Sequence, residues 1–76
     1  MKPEYTDKYL KMGLKIAYYR KLKGLTQEAF ADKIAKSWSF VAKLESPTKA
    51  VGLSLDTLFT ISEVLDVPPY KFLVED

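Results

Sequence analysis

The chain has 76 residues, enough for one domain whose single core buries about 60% of the unfolded chain's surface, so pairing with a second copy would help it. Cysteine and histidine are both absent, and no apolar run approaches the roughly 20 residues that span a bilayer, so we expect a cytoplasmic chain with no disulfide, metal, cofactor or enzymatic activity and no membrane contact. The net charge of +2 is unevenly spread: residues 8–49 carry ten basic side chains against three acidic ones, a net of +7, whereas residues 50–76 carry −4 and residues 1–7 carry −1.

Apolar residues recur three and four apart with no clean alternation, which predicts an all-α fold, a compact bundle of five short helices. Thr6 or Asp7 can cap the first helix, whose stripe is Tyr9, Met12, Ile16 and Tyr19 and whose end near Lys23 is set by a left-handed Gly24. Thr26 caps a second helix through about Ala35, with Phe30 and Ile34 facing the core and Ala31 admitting a close neighbour. Ser37 caps a third helix, with Val41 and Leu44 as its buried edge, which ends near Ser46 ahead of Pro47. After a polar loop over 46–52, Ser54 caps a fourth helix bearing Leu55, Leu58, Ile61 and Leu65 on one face. Pro68 and Pro69 suit the first turn of a last short helix with Tyr70, Phe72 and Leu73.

The second and third helices are too short to stand alone and are joined by a very tight turn, which is the arrangement of a helix-turn-helix over about residues 26–46 within a single domain of residues 1–76. In such a pair the second helix divides into a core edge and a groove edge. At about 100° per residue, Ser39, Ala42 and Lys43 fall opposite Val41 and Leu44, with Trp38 and Phe40 on the flanks. A basic half beside an acidic one fits a nucleic-acid face, and ordinary solvated lysines account for the charge equally well.

The residues Gly24-Leu25-Thr26-Gln27-Glu28, Phe30-Ala31, Lys33-Ile34, Ser37, Val41 and Lys43-Leu44-Glu45 resemble, without a gap, the helix-turn-helix of Cro and lambda-repressor-like transcriptional regulators. The likeness extends upstream through Met12-Gly13-Leu14-Lys15-Ile16 and Tyr19-Arg20-Lys21 and downstream through Ser54-Leu55-Asp56-Thr57-Leu58, Ile61, Leu65 and Val67. It implies a lambda-repressor-like domain that binds double-stranded DNA, a repressor with helix 37–46 in the major groove. It also implies roles: Gln27 at a phosphate or a terminal base, Trp38, Ser39 and Lys43 at base edges, Ser46, Thr48 and Lys49 along the backbone, Ser37 at the start of the reading helix, and Arg20 and Lys36 adding charge nearby.

Each role has a plainer counterpart. Gln27, Ser39 and Lys43 can be solvated surface residues, and Trp38 can meet a thymine methyl or fold back over the second helix, while Phe40 leans towards the core. The chain departs from the family pattern at the turn, where the usual glycine is Ala35 and the apolar residue after it is Lys36. The reading helix has no Arg, Gln or Asn, so bidentate base contacts are absent, and the loop over 46–53 is about two residues longer than usual. A homodimer reading a short inverted repeat is expected, with Phe72, Leu73 and Val74 as the self-association surface. The alternative is a protein-interaction module on the same scaffold, such as an antitoxin or adaptor anchored by Trp38 and Phe40. Catalysis has the least support, since the carboxylates are scattered, Ser37 and Ser39 lack a neighbouring base and no glycine-rich phosphate loop is present.

Overall fold

A computed structural model describes residues 1–74, and its described residues are helical without a strand. Four α-helices run in order, α1 (Thr6–Leu22), α2 (Gln27–Lys33), α3 (Trp38–Leu44) and α4 (Leu55–Leu65), with 3-10 turns at Pro3–Tyr5 and Pro69–Phe72. The expected fifth helix is thus a single 3-10 turn, since two prolines and four residues leave no room for an α-helical ladder. Thr6 and Asp7 lie inside α1 and cap nothing, because the turn at Pro3–Tyr5 runs straight into the helix.

The other three helices start where the sequence places a cap. Thr26, Ser37 and Ser54 are extended, and their hydroxyls accept from the amides of Ala29, Phe40 and Thr57 at 3.0, 3.0 and 3.1 Å. Three helices end alike, each on a left-handed residue: Gly24 (φ 77°) after α1, Ala35 (φ 58°) after α2 and Asp66 (φ 57°) after α4. At each, the following amide reaches back five residues, Leu25 to Arg20, Lys36 to Ala31 and Val67 to Ser62, closing a Schellman motif. Ala35 therefore adopts the conformation that glycine usually supplies, at a steric cost of about 1–2 kcal/mol. The turn is built as a glycine turn would be, and the methyl is accommodated in it.

The core joins Met12 and Ile16 of α1, Phe30 and Ala31 of α2 with Ile34 just after it, Val41 and Leu44 of α3, Leu58, Ile61 and Leu65 of α4, and Phe72. Tyr9 and Tyr19 complete the α1 stripe from half-buried positions. Leu55 does not join its stripe: it is 66% exposed, because it starts α4 beyond the reach of the neighbouring helices. α1 crosses α3 so closely that a Cβ placed on Gly13 would stand 2.0 Å from the Leu44 carbonyl oxygen. No side-chain rotation relieves a clash with backbone, so glycine at this point sets how near the end of α3 comes to α1.

Candidate nucleic-acid interface

α3 buries Val41 and Leu44 completely and turns Ser39, Ala42 and Lys43 to solvent, as the helical angles require. Ser37 holds the first turn through its Oγ, and Phe40 is half-buried against the core edge. Lys36, in the turn, is exposed with its ammonium 5.5 Å from the centre of the Phe40 ring. Beyond α3 the loop folds on itself: the Thr48 amide donates to Ser46 Oγ at 3.2 Å and the two hydroxyls lie 3.2 Å apart, leaving Thr48 and Lys49 exposed. Gln27, Ser37, Trp38, Ser39 and Lys43 thus belong to the α2–α3 hairpin, and Ser46, Thr48 and Lys49 follow it directly.

Four side chains link the core to this surface. Arg20, on α1, donates from Nε to Glu45 Oε2 at 2.6 Å and from Nη2 to Glu45 Oε1 at 2.9 Å, a two-pronged ion pair, and from Nη1 to the Leu25 carbonyl at 2.6 Å. Gln27 donates from Nε2 to Glu45 Oε1 at 3.0 Å, and its own Oε1 accepts from Trp38 Nε1 at 3.2 Å. The sequence reading of Arg20 as added charge near DNA is corrected here: it is 7% exposed, and its guanidinium is fully engaged with Glu45 and Leu25. A buried charge needs such a partner, and residues 20 and 45 supply it to one another. The pairing also matters outward. Glu45 directly follows α3, and Arg20 compensates its negative charge, so it does not offset the exposed Lys36, Lys43 and Lys49.

Of the two roles that the sequence left open for Trp38, the structure shows the fold back over α2, and it leaves the side chain accessible as well. Its indole nitrogen reaches back to the first residue of α2, and its ring remains 56% exposed beside Ala42. Glu45 and the Gln27 bridge had no signal in the sequence beyond the presence of an acid at the end of α3, since the partners are 25 and 18 residues apart. Among the described residues, no group of three or more Asp, Glu, His or Cys side chains is arranged to hold a metal, and no helix is long and apolar enough to cross a membrane.

Two elements packed across a four-residue turn, the second exposed along one edge, define a helix-turn-helix. The helix-turn-helix family model matches residues 16–72, and the chain belongs to that family. Among solved structures it is similar to the restriction-modification controller protein C.AhdI from Aeromonas hydrophila, at 25% identity over 91% of this chain and 97% of that one, with a TM-score of 0.80. It is also similar to SinR, a master regulator for biofilm formation solved in complex with DNA, at 30% identity over 83% of this chain and 98% of that one, TM-score 0.76. SinR, from Bacillus subtilis, is similar again in its complex with SinI, at 31% identity over 84% of this chain and 61% of the SinR chain, TM-score 0.75. No curated protein matches the chain significantly by sequence.

Proposed function

We propose that the chain is a non-enzymatic, sequence-specific DNA-binding transcriptional regulator, a repressor, that acts in the cytoplasm as one helix-turn-helix domain and inserts α3 into the major groove. The observation that carries this reading is the α3 surface: a short helix whose outward edge, Trp38, Ser39, Ala42 and Lys43, is exposed while its base is clamped to α1 and α2 by the Arg20–Glu45–Gln27 bonds. A reading element held in this way loses little conformational entropy on binding. Trp38, Ser39 and Lys43 meet base edges, and Gln27, Lys36, Ser37, Ser46, Thr48 and Lys49 line the backbone on either side. The relatives support the same role, since SinR has been solved with DNA bound.

The regulator works as a homodimer, its two α3 helices about 34 Å apart on one face of the duplex. The expected self-association surface needs one correction. Phe72 is 1% exposed and stacks edge-to-face on Tyr19 at 5.6 Å, so it closes the core and presents nothing to a partner. Leu73 and Val74 are exposed, and Leu73 borders an apolar groove of about 370 Å³ walled by Tyr5, Tyr9, Met12, Leu55 and Leu58. That groove and Leu73 form the surface for a second copy.

Salt separates this reading from a protein-partner module anchored on the exposed Trp38 ring. Affinity for a fluorescent random-sequence duplex should fall linearly with log salt, and Lys36→Ala or Lys49→Ala should each lower the slope by about 1. Both lysines are exposed, so neither change unfolds the protein. Absence of binding even at low salt would overturn the DNA reading in favour of the protein partner.

A further inference from the structure

The hydrogen bonds around Trp38 decide what kind of base edge α3 can read. A tryptophan side chain has one polar atom, Nε1, and it can only donate. Here Nε1 is directed at Gln27 Oε1, 3.2 Å away, so it does not face the groove. The orientation of the Gln27 amide is itself determined. Glu45 Oε1 can only accept, so the amide group must turn its NH2 towards Glu45, 3.0 Å away, and its oxygen towards the indole. Glu45 in turn is held at both oxygens by Arg20, at 2.6 and 2.9 Å. The order runs from a buried guanidinium to an exposed ring, and each link permits one orientation of the next.

What the ring offers outward is therefore carbon. Ala42, one turn further along the same face and also exposed, extends that apolar strip, while Ser39 and Lys43, likewise four apart, form a polar strip beside it. In the major groove the bases present donors and acceptors, apart from the small C5–H of cytosine and the C5-methyl of thymine, and that methyl is the one apolar group that projects far enough to fill a contact with carbon. A hydrogen-bonding edge placed against carbon would lose its water without a replacement partner, which disfavours every other base there.

Resting on the DNA-binding reading above, we propose that Trp38, with Ala42, is the specificity-determining strip of α3 and selects a pyrimidine bearing a C5-methyl group, and that Gln27 is the positioning residue that keeps the indole N–H away from the groove. Thymine supplies that methyl in unmodified DNA and 5-methylcytosine supplies it in methylated DNA. Ser39 and Lys43 read acceptors on the neighbouring edge.

The test uses the full chain and a duplex enriched from a random-sequence pool by binding to it. Each thymine of the duplex is replaced in turn by deoxyuridine, which removes only the methyl, and in a second series each cytosine by 5-methylcytosine. At one or two positions per half-site, wild type should lose about fourfold in affinity on replacement of thymine, the value of one buried methyl group. Restoring a methyl as 5-methylcytosine in place of cytosine at such a position, in a duplex carrying C·G there, should recover part of that loss if the methyl alone is recognised, and should recover none if thymine is read as a whole base; the second result would overturn the methyl readout. Trp38→Ala should bind both versions equally, while Trp38→Phe, an apolar ring without the N–H, should keep the preference. Gln27→Leu, which releases the indole N–H, should lower the thymine-to-uracil ratio. Uracil tolerated at every position, or the same loss in Trp38→Ala as in wild type, would overturn the inference while leaving DNA binding intact. Failure of the whole pool to bind at low salt would overturn the reading beneath it as well.

Discussion

The α2–α3 hairpin and the α4–C-terminal end hold short elements in place by different means. At the hairpin, two seven-residue helices are fastened by polar bonds: serine and threonine caps, a two-pronged ion pair, and the Gln27 bridge from Glu45 to Trp38. At the other end, α4 and the final turn are fastened mainly by apolar burial of Leu58, Ile61, Leu65 and Phe72, with Leu55 and Leu73 left exposed beside an open groove. Polar bonds are directional, so they define where side chains point, which a reading surface requires. Apolar burial is non-directional, and its unfinished edge suits association with another apolar surface. The basic stretch coincides with the first region and the acidic third with the second.

The contrast is broken most severely at the ion pair. Arg20→Met strands the Glu45 carboxylate in the interior and should cost about 3–5 kcal/mol in urea unfolding, while the double variant Arg20→Met/Glu45→Met should recover most of that loss. Equal destabilisation in the single and double variants would show that the network is not coupled as described. At the apolar end, Leu73→Asp should convert the proposed dimer to a monomer in sedimentation equilibrium, with the unfolding free energy of the monomer changed by no more than about 0.5 kcal/mol because the side chain is exposed. A dimer that survives would place the interface elsewhere. The smallest effect belongs to the turn. Ala35→Gly removes the left-handed penalty of about 1–2 kcal/mol and returns about 0.4–1 kcal/mol of flexibility to the unfolded chain, so thermal unfolding should report a net gain of about 0.5–1 kcal/mol.

These predictions separate what was readable in the residues from what was not. Thr26, Ser37 and Ser54 were legible as caps because a cap acts within three residues, and the exposed edge of α3 was legible because helical angles are fixed once the helix is granted. Gly24 announced its left-handed conformation, whereas Asp66 gave no comparable signal and Ala35 was visible only as a departure from the usual glycine. Leu55 followed the apolar spacing of its helix and still faces solvent, since periodicity marks a face without showing where that face outruns its neighbours. Phe72 and Leu73, adjacent and equally apolar, part company, one sealed against Tyr19 and the other exposed.

The sequence alone thus determined the helical class, most of the helix starts and the division of charge, all of which follow from interactions within a few residues or from simple counting. Only the tertiary structure decided that Arg20 is a buried internal partner of Glu45, that Gly13 admits the end of α3 against α1, and that the Trp38 indole N–H is turned inward. Each of these depends on residues between 11 and 31 positions apart in the chain that meet only after the helices pack. Local preferences cannot specify such meetings, because the free energy that holds them comes from burial shared among all the helices at once.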